Sequence, residues 1–536
     1  MFLPPLRYLP PLGILAAALV SFALAANHSA WWLIAAVPLA ALFALGVFGF
    51  FQTRHPVLRN YPILGHFRFL FEAIRPEIQQ YFVEPDTKGT PYPRTVRSVI
   101  YRRAKLGNDE IGFGSERDVR VGGYEWMTHS IAARHPPDTP PPTVRVGGEQ
   151  CSQPYEMALL NVSAMSFGSL SSRAIEALNL GAARGGFAHD TGEGGISRYH
   201  LNGGDLIWEI GSAYFGCRTG DGAFDPALFR EKAAHPQVKA INLKLSQGAK
   251  PGRGGVMPAR KVTAEIAEVR GLPEGQRCVS PAAHTEFDSP VGLLEFVARL
   301  RDLSGGKPTG FKLCVGSRIE LLSIVKAMLL TGITPDFIVV DGSEGGTGAA
   351  PLEFSDHVGM PLREGLLAVH NSLVGAGLRR QVRVAASGKV STGFDIARLM
   401  ALGADYTNSA RSMMMAIGCI QTRKCHLDTC PVGVATQDPS RVRALNVERS
   451  AARCVHYQQE TVASLRTLAA AQGLDHPGEF TPHHMMRRID EIEVRSFAEI
   501  YEWLDEGELL DGGPESWAGH WQMAEPSSFV AGAQGW

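Results

Sequence analysis

The chain has 536 residues, of which 45% are hydrophobic and 20% are charged, and its 52 Lys and Arg nearly balance its 53 Asp and Glu, for a net charge of -1. This composition excludes an intrinsically disordered chain and the basic charge signature of a nucleic-acid-binding protein. The length allows two to four domains of about 100 to 200 residues, or one barrel of about 250 residues with additions.

Two uncharged apolar stretches stand near the N-terminus, at about residues 9–26 and 31–51. Each stretch is close to the roughly 20 residues that a helix needs to cross a bilayer. The short break between them predicts a helical hairpin, in which Trp31 and Trp32 lie at the membrane interface, where an indole is favoured. We therefore predict a membrane anchor over residues 1–54 with two transmembrane helices.

The charges around this hairpin predict its orientation. Arg7 precedes the first apolar stretch, and Arg54 and Arg59 follow the second. Because cytoplasmic loops carry the excess of Lys and Arg, we expect a multi-pass protein of the cell membrane with the remainder of the chain in the cytoplasm. A cleaved signal peptide within residues 1–26 is the alternative, and residues 31–51 would then remain as an anchor.

Beyond the hairpin, composition and pattern divide the chain into three further regions. Residues 55–150 are rich in Pro, Arg and Tyr and have no period that would define a core, which is typical of a segment that wraps around another domain. Residues 151–437 have the alternating pattern of an α/β domain. Residues 438–536 are predicted to form a C-terminal helical extension.

The α/β region repeats one unit, a short apolar run that ends in a polar or Gly-rich turn and is followed by a helical stretch. Eight such runs occur, and they are Ala158–Ala164, Gly186–His189, Leu206–Ile210, Ala240–Leu245, Gly310–Val315, Asp336–Val340, Gln381–Ala386 and Ala404–Ser409. Eight strand-helix units predict a (β/α)8 TIM barrel, and their span is close to the roughly 250 residues typical of this fold. A doubly wound open sheet is the alternative, but it seldom has eight units.

In such a barrel the chemistry lies on the loops after the carboxyl ends of the strands. Four of these loops are rich in Gly, and they contain Glu193, Gln247, the run Gly345-Gly346-Thr347, and Gly388-Lys389. Glycine amides approach an anion without a side chain in the way, and barrels commonly hold a phosphate on the loops after strands seven and eight. This pattern places a phosphate near Gly388, Lys389 and Arg411.

Singly, each of these features has an ordinary structural explanation. A Gly-rich loop is often a tight turn, and Lys244 or Lys312 alone would be a solvated or ion-paired side chain. Glu193 could cap a helix, and Arg270 at the end of a predicted helix needs no functional reason. Because they lie together at one edge of one predicted barrel, however, they favour a ligand site.

Three of the eight Cys lie close together after the eighth predicted strand, at Cys419, Cys425 and Cys430. Clustered thiols outside a disulfide framework indicate metal ligands. Pro431 after the third Cys favours an iron-sulfur cluster with one corner that lacks a protein ligand, whereas His426 could instead complete a zinc site. The remaining Cys are scattered, and we expect them to be buried apolar residues.

Residues from about Met165 to Gln437 resemble the FMN-binding synthase domain of the glutamate synthase large subunit. The similar blocks are Thr191–Gly195, Gln247–Gly255, Gly345–Ala349 and Cys425–Gln437. The resemblance implies a barrel that holds FMN, with a [3Fe-4S] cluster on Cys419, Cys425 and Cys430. It also implies the reductive amination of 2-oxoglutarate by ammonia, through 2-iminoglutarate, to L-glutamate, with hydride from reduced FMN and electrons entering through the cluster.

The resemblance also implies roles for the loop residues. The catalytic pair would be Lys244 and Glu193, and the substrate-binding pair would be Gln247 and Arg270. The cofactor-binding residues would be Ser166, Lys312, Gly345, Gly346, Thr347, Gly388, Lys389 and Arg411. These residue types suit the chemistry, because Lys and Arg neutralise the two carboxylates of the substrate and a Lys near the flavin stabilises its negative charge on reduction.

The chain departs from the family pattern in several places. The family's amidotransferase domain has no counterpart here, since the chain starts Met1-Phe2-Leu3 and continues into the apolar stretches, so ammonia or an amine would be delivered from elsewhere. After strand seven, Ser387-Gly388-Lys389 replaces Asp-Gly-Gly and adds positive charge beside the expected phosphate. Thr285 follows His284 where the family has a second His, so the substrate pocket differs at that point.

Three classes of function are compatible with these observations. The first is a glutamate synthase-type oxidoreductase acting on CH-NH2 donors, supplied with electrons by a separate ferredoxin or NADPH-oxidising subunit, since the chain has no strand-bound Gly-x-Gly-x-x-Gly unit. The second is a membrane-associated FMN and iron-sulfur electron-transfer module without its own 2-oxo acid. The third is a scaffold barrel with vestigial loops, against which the intact Gly loops and the three Cys argue.

Overall fold

The structure, a computed structural model, describes residues 9–530. Arg7, on which the predicted membrane orientation partly depends, therefore lies outside the described residues. The chain forms two compact units that meet in sequence between Pro91 and Tyr92. The domain boundaries predicted from composition stay predictions.

The N-terminal unit is helical. Its helices are α1 Leu9–Asn27, α2 Leu33–Phe51, α3 Pro56–Asn60 and α4 Gly65–Ile78. A turn of 3-10 helix joins the first two, and α4 continues as a π-helical turn over Gln79–Val83. The two apolar stretches are thus helices, with mean hydropathy of 2.0 and 2.4, and by length and composition each is able to cross a membrane. Their insertion stays a prediction.

The second unit contains all the described strands. In chain order they are β1 Glu125–Met127, β2 Thr143–Val146, β3 Tyr155–Ala158, β4 Leu160–Val162, β5 His189–Asp190, β6 Leu206–Ile210, β7 Val238–Lys244, β8 Val256–Met257, β9 Cys278–Val279, β10 Thr309–Leu313, β11 Phe337–Asp341, β12 Arg383–Ser387, β13 Tyr406–Ser409, β14 Met485–Arg488 and β15 Val494–Ser496. Eight of them, β4–β7 and β10–β13, pair in parallel and close into a barrel. The predicted TIM-type barrel is therefore confirmed.

Among the eight predicted barrel strands, Leu206–Ile210 has the same bounds in the structure, and the other seven differ by up to three residues at an end. The differences at the first two strands have a clear structural cause. The first is shorter, because β3 pairs antiparallel with β2 up to Ala158 and so belongs to a hairpin outside the barrel ladder. The second begins later, because Gly186 ends the preceding helix in the left-handed conformation, with φ of 69°. Neither difference moves the loops that follow these strands.

Helices cover the barrel and extend beyond it. They are α5 Arg94–Ala104, α6 Ser172–Gly185, α7 Pro226–Ala233, α8 Ala264–Arg270, α9 Pro290–Leu303, α10 Arg318–Thr331, α11 Leu352–His357, α12 Leu362–Gly375, α13 Gly393–Ala401, α14 Arg411–Ile417, α15 Pro439–Val442, α16 Val447–Ala471, α17 Phe497–Ile500 and α18 Glu515–Met523. The long α16 packs against α6, α13 and α5. The region predicted as a helical extension also supplies β14 and β15, which form a small antiparallel sheet with β1.

The interior of the barrel changes character along its axis. At the amino-terminal end, Ile207, Phe337, Val339 and Tyr406 form a buried apolar cluster. The β2–β3 hairpin supplies Val146 and Met157 to the same cluster, and this closes the bottom of the barrel. At the carboxyl end the inward positions are polar or charged, as described next.

Candidate functional site

Two lysines mark the centre of the carboxyl end of the barrel. Lys244 is the last residue of β7, and Lys312 lies opposite it in register on the neighbouring strand β10. Both side chains are buried, with exposed fractions of 9% and 5%. Because paired residues of adjacent parallel strands share a face, the two ammonium groups project into the same end of the barrel.

Lys244 joins three of the predicted site residues. Its Nζ lies 3.0 Å from Glu193 Oε2 and donates a hydrogen bond of 2.6 Å to Gln247 Oε1. The Gln247 amide in turn donates to Thr347 Oγ1 at 3.4 Å. Burial by itself raises the pKa of Glu193, but the charge and hydrogen bond of Lys244 outweigh it and hold that pKa below its usual value. Glu193 is therefore a carboxylate at neutral pH.

Arg270, the last residue of α8, is buried beside this group. Its Nη2 donates to Phe167 O at 3.0 Å and to Ser166 Oγ at 3.3 Å, and its guanidinium lies over the Phe215 ring at 4.9 Å. Burial lowers the pKa of Arg270, and the carboxylate of Glu193 opposes that shift. Its Nε is buried with no hydrogen-bond partner among residues 9–530. Arg270 thus keeps unused donor capacity near Glu193.

A small, partly open cleft lies beside Lys244 and Glu193. It is lined by Glu193, Lys244 and Gln247, with Ser212 and Arg253 at its wall. The Gly-rich segment 252–255 closes one side, and a Cβ atom at Gly255 would lie only 2.2 Å from Glu193 Oε1. A side chain at position 255 would therefore displace the Glu193 carboxylate from its present place beside Lys244.

Lys312 is the centre of a second group of charged side chains, which is more deeply buried than the first. Its Nζ lies 3.2 Å from Glu209 Oε2 and 3.8 Å from Asp341 Oδ2. Burial lowers the pKa of Lys312, but the carboxylates of Glu209, Asp341 and Asp190 outweigh that effect and raise it. Burial and the nearby Glu209 raise the pKa of Asp190 to about 7, although Asn242 donates to its Oδ2 at 2.9 Å. Lys312 is therefore a permanent cation at neutral pH.

The three carboxylates around Lys312 were not among the residues predicted from the sequence. Asp190 and Asp341 end β5 and β11, and Glu209 lies one residue before the end of β6. The sequence did contain an indication of them, because an acidic residue at an inward position of a buried strand is rare unless it has a partner. Their partner, however, is Lys312 on another strand, and no sequence spacing indicates that pairing.

The predicted phosphate-binding residues lie near one another on the loops after β12 and β13. Gly388 and Lys389 have φ angles of 151° and 51°, in the left-handed range. Arg411 donates to Glu344 O at 2.7 Å and lies over the Tyr92 ring at 5.0 Å. Partial desolvation and the positive charge of Arg411 lower the pKa of Lys389, which remains open to solvent. Two cations held close together in this way favour an anion between them.

The loop after β11 completes this side of the barrel. The Gly345 amide donates to Gly342 O at 2.8 Å, which makes a tight turn, and Thr347 Oγ1 donates to Ala349 O at 3.2 Å. A Cβ atom at Gly346 would lie 2.8 Å from Cδ of Arg411, so Gly346 admits the arginine side chain. The predicted cofactor loops thus share one edge of the barrel.

The residues at this end fit a cofactor with a phosphate and a polar ring. Arg411 and Lys389 supply positive charge for a phosphate, and the buried Lys312 supplies it at the barrel axis. Asn242 Oδ1 and Asn408 Oδ1 are buried acceptors that have no partner within residues 9–530. Such orphaned acceptors are unusual in a protein interior and are expected where a bound group supplies the donor.

His284 lies beside the Lys244 group. Its Nε2 donates to Lys244 O at 2.8 Å, and the Tyr214 hydroxyl donates to its Nδ1 at 3.2 Å. The same hydroxyl accepts from the Thr285 amide at 3.1 Å. Burial lowers the pKa of His284 to about 4, so the imidazole is neutral in the folded protein. The departure from the family pattern at Thr285 thus leaves a connected hydrogen-bond network.

The three clustered thiols lie on the segment after α14. Cys430 is buried, and Cys419 and Cys425 are partly buried. Burial raises the pKa of Cys419, and the nearby Cys425 and Cys430 raise it further, so the three side chains share one electrostatic neighbourhood. Within the described part of the chain, no group of three or more His, Cys, Asp or Glu is arranged to hold a metal ion. The cluster assignment therefore stays a prediction.

Comparisons with known proteins place this geometry in context. Residues 142–475 match the family model described as a conserved region in glutamate synthase. The chain is 39% identical over 484 residues to the glutamate synthase large subunit-like protein YerD of Bacillus subtilis, which covers 83% of this chain and 92% of YerD. It is 33% identical to the archaeal glutamate synthase [NADPH] of Methanocaldococcus jannaschii, over 59% of each chain.

A third relative is a much longer chain, of which the match covers only a small part. Identity to the glutamate synthase [NADPH] large chain of Bacillus subtilis is 36%, over 52% of this chain and 18% of the relative. The chain thus spans nearly all of YerD but about three fifths of the archaeal relative and less than a fifth of the large chain.

Proposed function

The chain belongs to the glutamate synthase family, and from this premise we propose that it is an FMN-dependent oxidoreductase that converts 2-oxoglutarate and ammonia, through 2-iminoglutarate, to L-glutamate. The observation that carries the proposal is the Lys244 group, in which one buried ammonium joins Glu193 and Gln247 at the wall of a cleft. That group lies one strand away from Lys312, at the end of the barrel where a flavin is expected.

The substrate would enter the cleft as a dianion. Lys244 in the cleft lining and the buried Arg270 near Glu193 would provide positive charge for its carboxylates, and the Gln247 amide would provide a hydrogen-bond donor. Arg253 at the cleft wall adds a third cation. Since the Glu193 carboxylate neutralises one of the three cations, two positive charges remain, and this balance favours a dicarboxylate over a neutral or monocarboxylic oxo acid.

The residues that would hold FMN are those of the Lys312 and Arg411 groups. Arg411, Lys389 and Gly388 would bind the phosphate, Lys312 would lie at the ring, and Ser166 and the segment Gly345-Gly346-Thr347 would line its edge. Bound FMN would supply the hydride that reduces the imine carbon. The orphaned acceptors Asn242 Oδ1 and Asn408 Oδ1 support this assignment, because a flavin ring brings hydrogen-bond donors.

The chain's own residues would manage the protons of the reaction. Addition of ammonia to the oxo group gives a carbinolamine, which must lose water before reduction. Lys244 Nζ holds a proton between the Glu193 carboxylate and the Gln247 amide oxygen, where it would protonate the departing hydroxyl. Glu193 would take up the proton that the nitrogen releases. Over the whole reaction, two electrons and two protons convert the oxo acid and ammonia to glutamate and water.

The electrons would come from a separate protein, a ferredoxin or an NADPH-oxidising subunit, through a [3Fe-4S] cluster on Cys419, Cys425 and Cys430. The shared neighbourhood of the three thiols and the presence of Pro431 support this assignment. Iron and labile sulfide in the purified protein would distinguish it from a zinc site.

The N-terminal helices would anchor the protein in the cell membrane with its catalytic domain in the cytoplasm. Arg54 and Arg59 after the second helix support this orientation. The anchor would bring the barrel close to membrane-associated electron donors, whereas the nitrogen donor would arrive from solution.

The proposal is tested by reoxidation of the reduced flavin with 2-oxoglutarate and ammonia. Wild type is compared with Lys244→Ala and with Lys239→Ala, which removes a partly exposed lysine from the opposite end of the same strand. Loss of a charge-assisted hydrogen bond at Lys244 costs about 1.5 to 3 kcal/mol, or roughly ten- to a hundredfold in affinity for the oxo acid. Lys239→Ala is expected to behave as wild type, with flavin content equal in all three.

Two results would contradict parts of the proposal. Equal reoxidation rates in all three proteins would favour the electron-transfer module, because the lysine in the cleft would then have no substrate. Loss of flavin in Lys244→Ala alone would mean that Lys244 binds the cofactor instead of the oxo acid.

A further inference from the structure

The helix α4 presents an apolar stripe that the N-terminal unit leaves exposed. Its members recur every three or four residues and so lie on one face of the helix. They are Phe67, Leu70, Phe71, Ile74 and Ile78, and the π-helical turn continues the stripe through Tyr81 and Phe82. Their exposed fractions run from 38% for Ile74 to 84% for Phe82. A contiguous apolar surface of this length indicates a binding partner.

The opposite side of α4 has a different character. Phe69 is half-buried, with its ring 4.9 Å from the His55 ring. Arg68 and Glu72 form an exposed ion pair at 3.0 Å along the flank. The helix is therefore amphipathic, with its contacts to its own unit on one side and a solvent-facing apolar stripe on the other.

The start of α4 is held against the end of the second apolar helix. A Cβ atom at Gly49 would lie 2.7 Å from Pro62 O, and one at Gly46 would lie 3.1 Å from Ile63 Cγ1. Both glycines thus admit the segment just before α4 into direct contact with α2. Since α2 ends at Phe51 and rises by about 1.5 Å per residue, that contact lies within about 8 Å of its end.

If α2 spans a bilayer, this position is the boundary between the headgroups and the acyl chains. A helix that lies there with a long apolar face and cations at its flanks has the features of an interfacial helix. The cations are Arg75 on α4 and Arg54 and Arg59 before it, whereas Arg68 is paired with Glu72. A lipid surface that carries anionic headgroups would satisfy both the stripe and these charges.

We propose that α4 and its π-helical continuation lie in the surface of the same bilayer that holds α1 and α2, with the stripe from Phe67 to Phe82 buried at the acyl boundary. The inference rests on the membrane anchor proposed above. The bilayer is favoured over a protein partner because the Gly46 and Gly49 contacts hold α4 beside it, so contact with lipid needs no second binding event.

The test places a photoreactive p-benzoylphenylalanine at single positions of the full-length chain, reconstituted in nanodiscs of phosphatidylcholine and phosphatidylglycerol. Phe67 and Phe71 probe the stripe, and Phe69 on the same helix is the matched control, since all three are Phe in the native chain. Phe48 on α2, with an exposed fraction of 60%, reports on the hairpin itself. Adducts are identified by mass spectrometry after irradiation.

The expected result is a lipid adduct at Phe48, Phe67 and Phe71, with a several-fold lower yield at Phe69. Lipid adducts at Phe48 without any at Phe67 and Phe71 would overturn this inference while the hairpin stands. No lipid adduct at Phe48 would overturn the hairpin, and the inference with it. Protein adducts at Phe71 would show that a second copy or another protein covers the stripe, and would overturn the assignment to lipid. Far-ultraviolet circular dichroism spectra equal to that of wild type in all four variants show that the probes leave the helices intact.

Discussion

The two ends of the barrel interior differ sharply, although they are built from the same strands. On β6 the inward positions pass from Ile207 to Glu209, and on β11 they pass from Val339 to Asp341. On β13 the same step of two residues leads from Tyr406 to Asn408. One end is therefore an apolar core and the other a network of buried charges. The residues that stabilise the barrel thus lie at one end of its interior, and those proposed to bind ligands lie at the other.

The polar end carries a cost that the apolar end does not. Burying charged groups is unfavourable unless each has a partner, and the carboxylates of Asp190, Glu209 and Asp341 share the single ammonium of Lys312. Substitutions at the two ends should therefore differ in their effects on stability and on flavin binding.

The largest effect is expected for Lys312→Met. Removing the ammonium leaves Glu209 and Asp341 buried without their cation, which should lower the free energy of unfolding by about 3 to 5 kcal/mol and reduce flavin content. Lys239→Met, at the other end of the neighbouring strand, should change stability by less than about 1 kcal/mol, since its ion pair is partly exposed. Denaturant unfolding and flavin absorbance measure both. Unchanged stability in Lys312→Met would mean that the carboxylates do not depend on the lysine.

Phe337→Ala should have a similar effect on stability but none on the ligand. Phe337 is fully buried in the apolar cluster, and truncation of a buried Phe typically costs about 3 to 5 kcal/mol. The flavin content of the folded protein should stay at the wild-type level. The cavity left by the missing phenyl ring would lie at the end of the barrel opposite to the proposed flavin site. Phe113→Ala at a fully exposed position is the control. A loss of flavin in Phe337→Ala would show that the two ends are not independent.

Acid should weaken the polar end through His284. The pKa of His284 is about 4 in the folded protein and about 6.5 in the unfolded protein. The stability that its neutral imidazole contributes is therefore fully present above pH 6.5 and is lost as the pH falls towards 4. The loss over that range is about 3 kcal/mol. His284→Gln should remove this part of the pH dependence, whereas His357→Gln at an exposed position should retain it. Parallel stability curves for wild type and His284→Gln between pH 4 and 7 would contradict the prediction.

The smallest effect is expected at the mouth of the barrel. Lys389→Asn removes a cation but keeps a residue that tolerates the left-handed conformation, at φ of 51°. If Lys389 and Arg411 share a phosphate, flavin should bind roughly ten- to a hundredfold more weakly, which corresponds to about 1.5 to 3 kcal/mol. Titration of the flavin-depleted protein with FMN measures this, and Lys424→Asn on the thiol segment is the control. An unchanged affinity would exclude Lys389 from the phosphate site.

Much of the fold could be predicted from the sequence. Each barrel strand is a short apolar run, and local apolar patterning is a strong signal, so the predicted Leu206–Ile210 coincides with β6. The errors at the first two strands arose at places where local pattern is a poor guide. Ala158 pairs with β2 of the hairpin instead of with a barrel strand, and Gly186 ends a helix in the left-handed conformation, so the next strand begins after it.

The site was predictable where Gly-rich loops follow strands, and much less so inside the barrel. Glu193 stands in such a loop and Lys244 is the last residue of the strand before another, and the structure places the two side chains 3.0 Å apart. Glu209 and Asp190 stand in strands, where an acidic residue gives no local indication of the cation that pairs with it. Arg270 was the weakest of the predicted residues, because only tertiary contacts show that its guanidinium is buried beside Ser166.

The sequence by itself determined the order of strands and helices, the Gly-rich loops and the two apolar helices, because each depends on residues near one another in the chain. Only the tertiary structure decided which charges meet, since closure of the barrel brings β6, β10 and β11 together around Lys312. It also decided that α4 starts against the end of α2, because the contact needs Gly46 and Gly49 to face Pro62 and Ile63 across a turn of the chain.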